Sequence, residues 1–204
     1  MKLLSGTLIL IPVVNVFGFE NHQRYLPDRR DLNRSFPGST SGSMASRIAS
    51  LLLNDIVSKC DYCIDFHTAA AQRTNYPNIR VDLSDPKAQR IAKAFGCSLI
   101  VHNEGPDGSF RREACKSGCP TIVVEAGEPW KIEPSVLELG VSGIKNVLSE
   151  LGMLKYPANV PTHQALIYKT IWVRSEIGGI LKFHIGPGDF IKEGQAIATN
   201  YSIM

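Results

Sequence analysis

The sequence predicts an α/β fold: a mixed, largely parallel sheet flanked by helices, followed by a small, incomplete β barrel-sandwich module. Three observations predict it. Continuous apolar runs at Leu8–Val14, Tyr62–Ile64 and Thr121–Val124 suit strands buried on both faces by covering helices. Stretches with helical periodicity alternate with those runs as far as Leu154. Beyond a linker with two prolines, Lys155–Pro161, only short strand-like runs separated by Gly-rich turns remain.

Taken in order, Gly6–Val14 reads as a strand, and a connection rich in Gly, Asn, Arg, Asp and Pro runs from Asn15 to Gly42. Ser43–Val57 carries Ile48, Leu51, Leu52 and Ile56 at helical spacing, with Ser41 or Ser43 available as N-cap. A strand follows at Asp61–Phe66. Pro86–Phe95 reads as a helix with Asp85 as N-cap, Pro86 at its first position and Gly96 closing it. Strand Ser98–His102, helix Ser109–Ser117 and strand Pro120–Glu125 come next. Pro134–Leu151 places Leu137, Val141, Ile144, Leu148 and Leu151 on one helical face and stops at Gly152. Residues 1–155 therefore read as one α/β domain. Residues 162–204 read as a partial β-module, with strands at Ile167–Arg174, Ile180–His184 and Ala196–Asn200.

Composition excludes several classes. Hydrophobic residues make up 44% and charged residues 20% of 204, which suits one ordinary core plus an appendage. A net charge of +3 without a Lys/Arg run argues against nucleic acid as a partner. No stretch reaches the roughly 18–20 apolar residues a membrane span needs. The first apolar run is broken by Pro12 and Asn15 and lacks a small-residue cleavage site, so it reads as a strand and not a signal peptide. Five cysteines without disulfide-like spacing point to the cytoplasm.

Ligands of parallel sheets sit beyond the carboxyl ends of the strands, where Asn15, Asp65, His67 and Glu125 would converge. A His and a Glu meeting there suggest hydrolytic chemistry with a metal. The loop Arg24–Gly38 is rich in guanidinium and amide groups. It reads equally as a carboxylate-binding loop and as a solvated loop whose Asp and Arg residues pair with one another. Cys60-x-x-Cys63 with Cys115-x-x-x-Cys119 invites a structural zinc. Cys63 falls inside a buried strand, however, where a free Cys behaves as a small apolar residue. Asp65 is cast as a supporting carboxylate and not a ligand.

Asp31-Leu32-Asn33-Arg34 with Phe36-Pro37-Gly38, then Asp65-Phe66-His67-Thr68, then Val124-Glu125-Ala126-Gly127, in that order, resemble the succinylglutamate desuccinylase/aspartoacylase family. These are zinc amidohydrolases similar in fold to the zinc carboxypeptidases, and the resemblance extends over nearly the whole chain. It implies one zinc ion as cofactor, with His67 as its last ligand. It implies that Asn33 and Arg34 grip a substrate carboxylate, and that Glu125 activates water and then protonates the leaving amine. Arg24 and one of the pair Arg111/Arg112, taken as Arg111, resemble further arginines around the site.

The implied substrate is a small anionic N-acyl amino acid or related metabolite. The Gly-rich module resembles half of a biotinyl/lipoyl-type barrel-sandwich domain without a carrier lysine, which suits packing or homo-oligomerisation. The chain departs from the family at the metal. The other two zinc ligands come from a His-Gly-x-Glu motif ahead of the first strand, and no His-x-x-Glu occurs in the 204 residues. The expectation is a chain incomplete at both ends. Two readings stand: a zinc-dependent deacylase, or a catalytically inactive remnant that keeps the anion-binding loop.

Overall fold

A five-stranded sheet between two helical layers organises the chain. The structure, a computed structural model, describes residues 2–202. The expectations attached to Met1 and to the close of the chain at Met204 lie outside them. The strands are β1 (Cys63–His67), β2 (Asn75–Val81), β3 (Leu99–His102), β4 (Thr121–Gly127) and β5 (Ala165–Ile167), in spatial order β1-β4-β2-β3-β5. Only β2 against β4 is antiparallel; β1–β4, β2–β3 and β3–β5 are parallel.

Helices α3 (Pro86–Phe95) and α5 (Pro134–Glu150) cover one face, burying Ile91, Ala92, Phe95 and Val147 against Ile79, Val81, Ile100, Ile122 and Val124. On the other face, α2 (Met44–Leu51) and α4 (Phe110–Lys116) bury Ala45, Ala49, Phe110 and Ala114 with Leu26, Leu32, Phe36 and Cys119. A sheet with two covered faces needs apolar strands throughout, which is why β4 is buried along almost its whole length.

Local signals set the helix ends. Asp85 accepts from Lys87 N at 2.8 Å and Ala88 N at 3.3 Å, and Gly96 takes the left-handed conformation (φ 97°) that closes α3. Ser43 caps α2 through Ser46 N, and the chain continues beyond it as a π turn and a 3₁₀ turn to Lys59. Gly143 lets α5 lie directly on the Phe95 ring; a Cβ there would collide with it.

Four elements differ from the sequence-based expectation. Leu8–Val14 forms no strand, because no described strand pairs with it. Asn75–Val81 is a strand that the sequence did not announce. Its Asn-Tyr-Pro-Asn start is weak strand material, and the register shift between Asn75 and Asn78 accommodates Pro77. The strand expected at Ile167–Arg174 is instead Ala165–Ile167, and it extends the main sheet by pairing with β3. The Gly-rich tail forms one two-stranded antiparallel sheet, β6 (Ile180–Phe183), exposed throughout, with β7 (Ala198–Tyr201), exposed at alternate residues. No described helix is long and apolar enough to cross a membrane.

Candidate active site

Strand register assembles the centre of the site. The parallel pairing of β1 with β4 sets His67 opposite Glu125. Residues with the same parity share a face, so Cys63, Asp65 and His67 point away from the α3/α5 layer while Ile64 and Phe66 point toward it. Glu125 shares the face of His67. Arg80, opposite Val123 on β2, joins them there.

The polar contacts are explicit. His67 Nε2 lies 2.8 Å from Asp65 Oδ2. Asn75 Nδ2 donates to Glu125 Oε2 at 2.7 Å, and Arg80 Nε lies 3.6 Å from Glu125 Oε1. Burial disfavours a charged His67, but the hydrogen bond to Asp65 and the negative charges of Asp65 and Glu125 outweigh it, so its pKa rises above 6.5. The positive charge of Arg24 opposes that rise without cancelling it.

Beside this centre sits a buried cation. Arg111, on α4, is only 5% exposed. Its Nη2 donates to Asn103 Oδ1 at 2.7 Å, and its Nη1 has no partner among the described residues. Burial pulls its pKa down, and α4 packs on the sheet face that carries Cys63, hence also Asp65 and His67. Arg112 turns away, donating to Gly105 O at 2.9 Å and facing Asp107 at 3.2 Å. Of the pair, Arg111 is the buried one.

The Asn33 loop is stitched to the same helix. Asn33 Oδ1 accepts from Phe110 N at 2.8 Å, while Asp31 caps the short 3₁₀ turn Leu32–Arg34 and holds Arg24 Nε at 2.9 Å. Asp–Arg pairing within the loop and its anchorage beside Arg111 therefore coexist. Arg34 is exposed, and its Nη1 donates to Asn33 O at 2.6 Å. Among the site residues read from sequence, strand register brings His67 and Glu125 together, Arg24 is held by Asp31, Asn33 is anchored to α4, the helix that carries Arg111, and Arg34 is exposed. Asn15 turns inward on its own loop, donating to Arg24 O and accepting from Gly18 N.

Asn75, Arg80, Asp31 and Asn103 were not singled out by sequence. The one signal available was the alternation Cys63, Asp65, His67 along β1, which marks a polar face. The rest depends on a strand, β2, whose existence was not legible.

The residues present do not fit a complete zinc site. Among the described residues no group of three or more His, Cys, Asp or Glu side chains is placed to hold a metal. His67 supplies one nitrogen, and catalytic zinc takes three protein ligands. The cysteines are free, and burial raises the thiol pKa values of Cys63, Cys97 (to about 12), Cys115 and Cys119 (to about 11), which suits inert packing.

Residues 2–151 match the family model described as the succinylglutamate desuccinylase/aspartoacylase catalytic domain. The chain belongs to that family. It is 27% identical over 212 residues to the N-alpha-acetyl-L-2,4-diaminobutyric acid deacetylase of Halomonas elongata, covering 98% of this chain and 62% of that protein. Its fold matches the succinylglutamate desuccinylase/aspartoacylase of Rhodobacter sphaeroides with a TM-score of 0.83 at 22% identity, covering 95% of this chain and 62% of that one. The product-bound ectoine utilization protein EutE (DoeB) of Ruegeria pomeroyi gives 0.81 at 23% identity, over 94% and 62%. The chain thus spans under two thirds of the length of these relatives.

Proposed function

We propose that this chain carries the substrate-gripping and proton-transfer part of a deacylase site for small anionic N-acyl amino acids. The observation that carries the reading is the buried Arg111, its Nη1–H without a partner among the described residues, on a helix that packs over the sheet face of His67 and Glu125. A buried guanidinium with an unfilled donor is costly unless an anion completes it. A carboxylate does so with charge-assisted geometry. In this reading Arg111 takes the substrate carboxylate, with Arg24, Asn33 and Arg34 at the rim.

Glu125 is then the general base and acid. It removes a proton from the attacking water, the water oxygen bonds to the acyl carbon, the C–N bond breaks, and Glu125 returns the proton to the departing amine. Asn75 and Arg80 hold its carboxylate in position. The family resemblance assigns His67 to a zinc ion. The described residues bring no set of three metal-binding side chains together around it.

The same shortfall supports a second reading, a silent anion-binding remnant. The test is to incubate the purified chain with N-acetyl and N-succinyl amino acids, with and without added zinc, and to follow both ligand binding and amine release. Binding with release supports the deacylase; binding without release supports the remnant; no binding removes both.

A further inference from the structure

Arg111 is a buried cation held by a neutral partner. Among the described residues its side chain makes a single hydrogen bond, Nη2 to Asn103 Oδ1 at 2.7 Å, and Nη1 makes none. The carboxylates of the neighbouring strands and loop are committed elsewhere. Asp82 Oδ1 accepts from Ser84 N at 2.9 Å and from Ser84 Oγ at 2.6 Å. Asp65 Oδ2 lies 2.8 Å from His67 Nε2, and Asp107 faces Arg112 and Lys116.

Asn103 is itself fixed in place. It follows β3 directly, and its N donates to Val81 O at 2.8 Å, which ties it to the end of β2. Its Oδ1 also accepts from Gly105 N at 2.9 Å, closing a tight turn ahead of α4. Gly105 takes φ 89°, and a Cβ there would lie 3.3 Å from Arg111 Nη2 and 3.5 Å from Nε. The turn therefore packs along that edge of the guanidinium, and Arg112 Nη1 holds the turn through Gly105 O at 2.9 Å. The Nε–Nη2 edge is closed by the protein, and Nη1 is left to take a ligand.

Hydrogen bonding alone does not explain an asparagine at this position. Both neighbours of Oδ1 are N–H donors, so a carbonyl or a carboxylate oxygen satisfies them equally, and the carboxylate makes the stronger, charge-assisted bond. A carboxylate would also neutralise a cation that has been taken out of water. Asn103 lies at the surface, so its isosteric acid meets no packing obstacle. What the amide does and the acid cannot do is to fix the guanidinium while leaving its charge for an anion.

We propose that Asn103 is a positioning residue of the carboxylate subsite: its amide oxygen holds Arg111 by the Nη2 edge without neutralising it, and so keeps the charge and the Nη1–H for the substrate carboxylate. This rests on the reading of Arg111 as the carboxylate receptor.

The test is Asn103→Asp in the 204-residue chain, with N-acetylglycine as the probe and N-acetylglycine amide as the neutral control, measured by calorimetry and urea unfolding. Asn103→Asp should raise the Kd for N-acetylglycine about tenfold or more, because the added carboxylate takes the guanidinium for itself, and should leave the unfolding midpoint at or above that of wild type. An asparagine that only holds the turn predicts an unchanged Kd, since the acid keeps both hydrogen bonds. Asn103→Ala loses the bonds without adding charge, so it should weaken binding less than Asn103→Asp while lowering the midpoint more. In the wild-type chain, the Arg111 side-chain NMR signals, assigned by their loss in Arg111→Met, should shift at Nη1 on adding N-acetylglycine and hold at Nη2. No binding by wild type, or equal binding by Arg111→Met, would remove the carboxylate reading itself. Weakened binding in Arg111→Met with wild-type affinity in Asn103→Asp would overturn the role of Asn103 alone. So would stronger binding by Asn103→Asp than by Asn103→Ala, or a probe that shifts Nη2 in place of Nη1.

Discussion

Replacing Arg111 by methionine tests the anion site most directly. The guanidinium is 5% exposed, gives one hydrogen bond to Asn103 and leaves Nη1 free. A charge-assisted bond to a substrate carboxylate contributes about 1.5–3 kcal/mol, so Arg111→Met should raise the Kd for an N-acetyl amino acid about 10- to 150-fold. Stability should change far less. The substitution removes a buried charge whose pKa is already pulled down by burial, and Asn103 Oδ1 keeps its bond from Gly105 N at 2.9 Å. The net effect on unfolding should stay within about 1 kcal/mol. Isothermal titration calorimetry gives the affinity and urea unfolding the stability. Two controls sharpen the reading: Arg112→Met, whose partners are Gly105 and Asp107, should leave Kd unchanged, and an N-acetyl amino acid amide should not distinguish wild type from Arg111→Met. Equal affinity of wild type and Arg111→Met for the carboxylate ligand, with both folded, would refute the site.

Three further outcomes are expected. Asp65→Asn removes the hydrogen bond and charge that hold the His67 pKa up, so its titration midpoint by NMR should fall; because the folded value is raised, the Asp65–His67 pair stabilises fully below about pH 6.5 and loses that stabilisation as pH climbs through the raised value, and the variant should lack this pH dependence in urea unfolding. Elemental analysis of the purified 204-residue chain should give well under one zinc per chain; stoichiometric zinc that disappears in His67→Ala would show that other donors had completed the set. Gly143→Ala should destabilise the protein, since overpacking the Phe95 ring costs about 1–3 kcal/mol and better helix propensity returns only about 1 kcal/mol; an unchanged urea midpoint would mean that α3 and α5 can separate freely.

The elements legible in the sequence were those whose signals are local. Helix α3 carries its N-cap, its first-turn proline and its closing glycine within the chain segment itself. Helix α5 repeats its apolar face for 17 residues, and β4 is apolar because both its faces are covered. The polar sets at Asp31–Arg34, Asp65–Thr68 and Glu125–Gly127 carried the family resemblance, and with it the expectations for His67, Glu125, Asn33 and Arg34.

Pairing decided the rest, because a strand is defined by its neighbours and not by its own residues. Asn75–Val81 became a central strand despite Pro77, since β4 and β3 lie on either side of it, and it delivered Asn75 and Arg80 to Glu125. Leu8–Val14, with far better strand composition, has no described partner and stayed unpaired. The adjacency of His67 and Glu125, 58 positions apart in the chain, follows from the register of β1 on β4. Which of Arg111 and Arg112 is buried was fixed by which side of α4 packs on the sheet, a choice that only the folded chain can make.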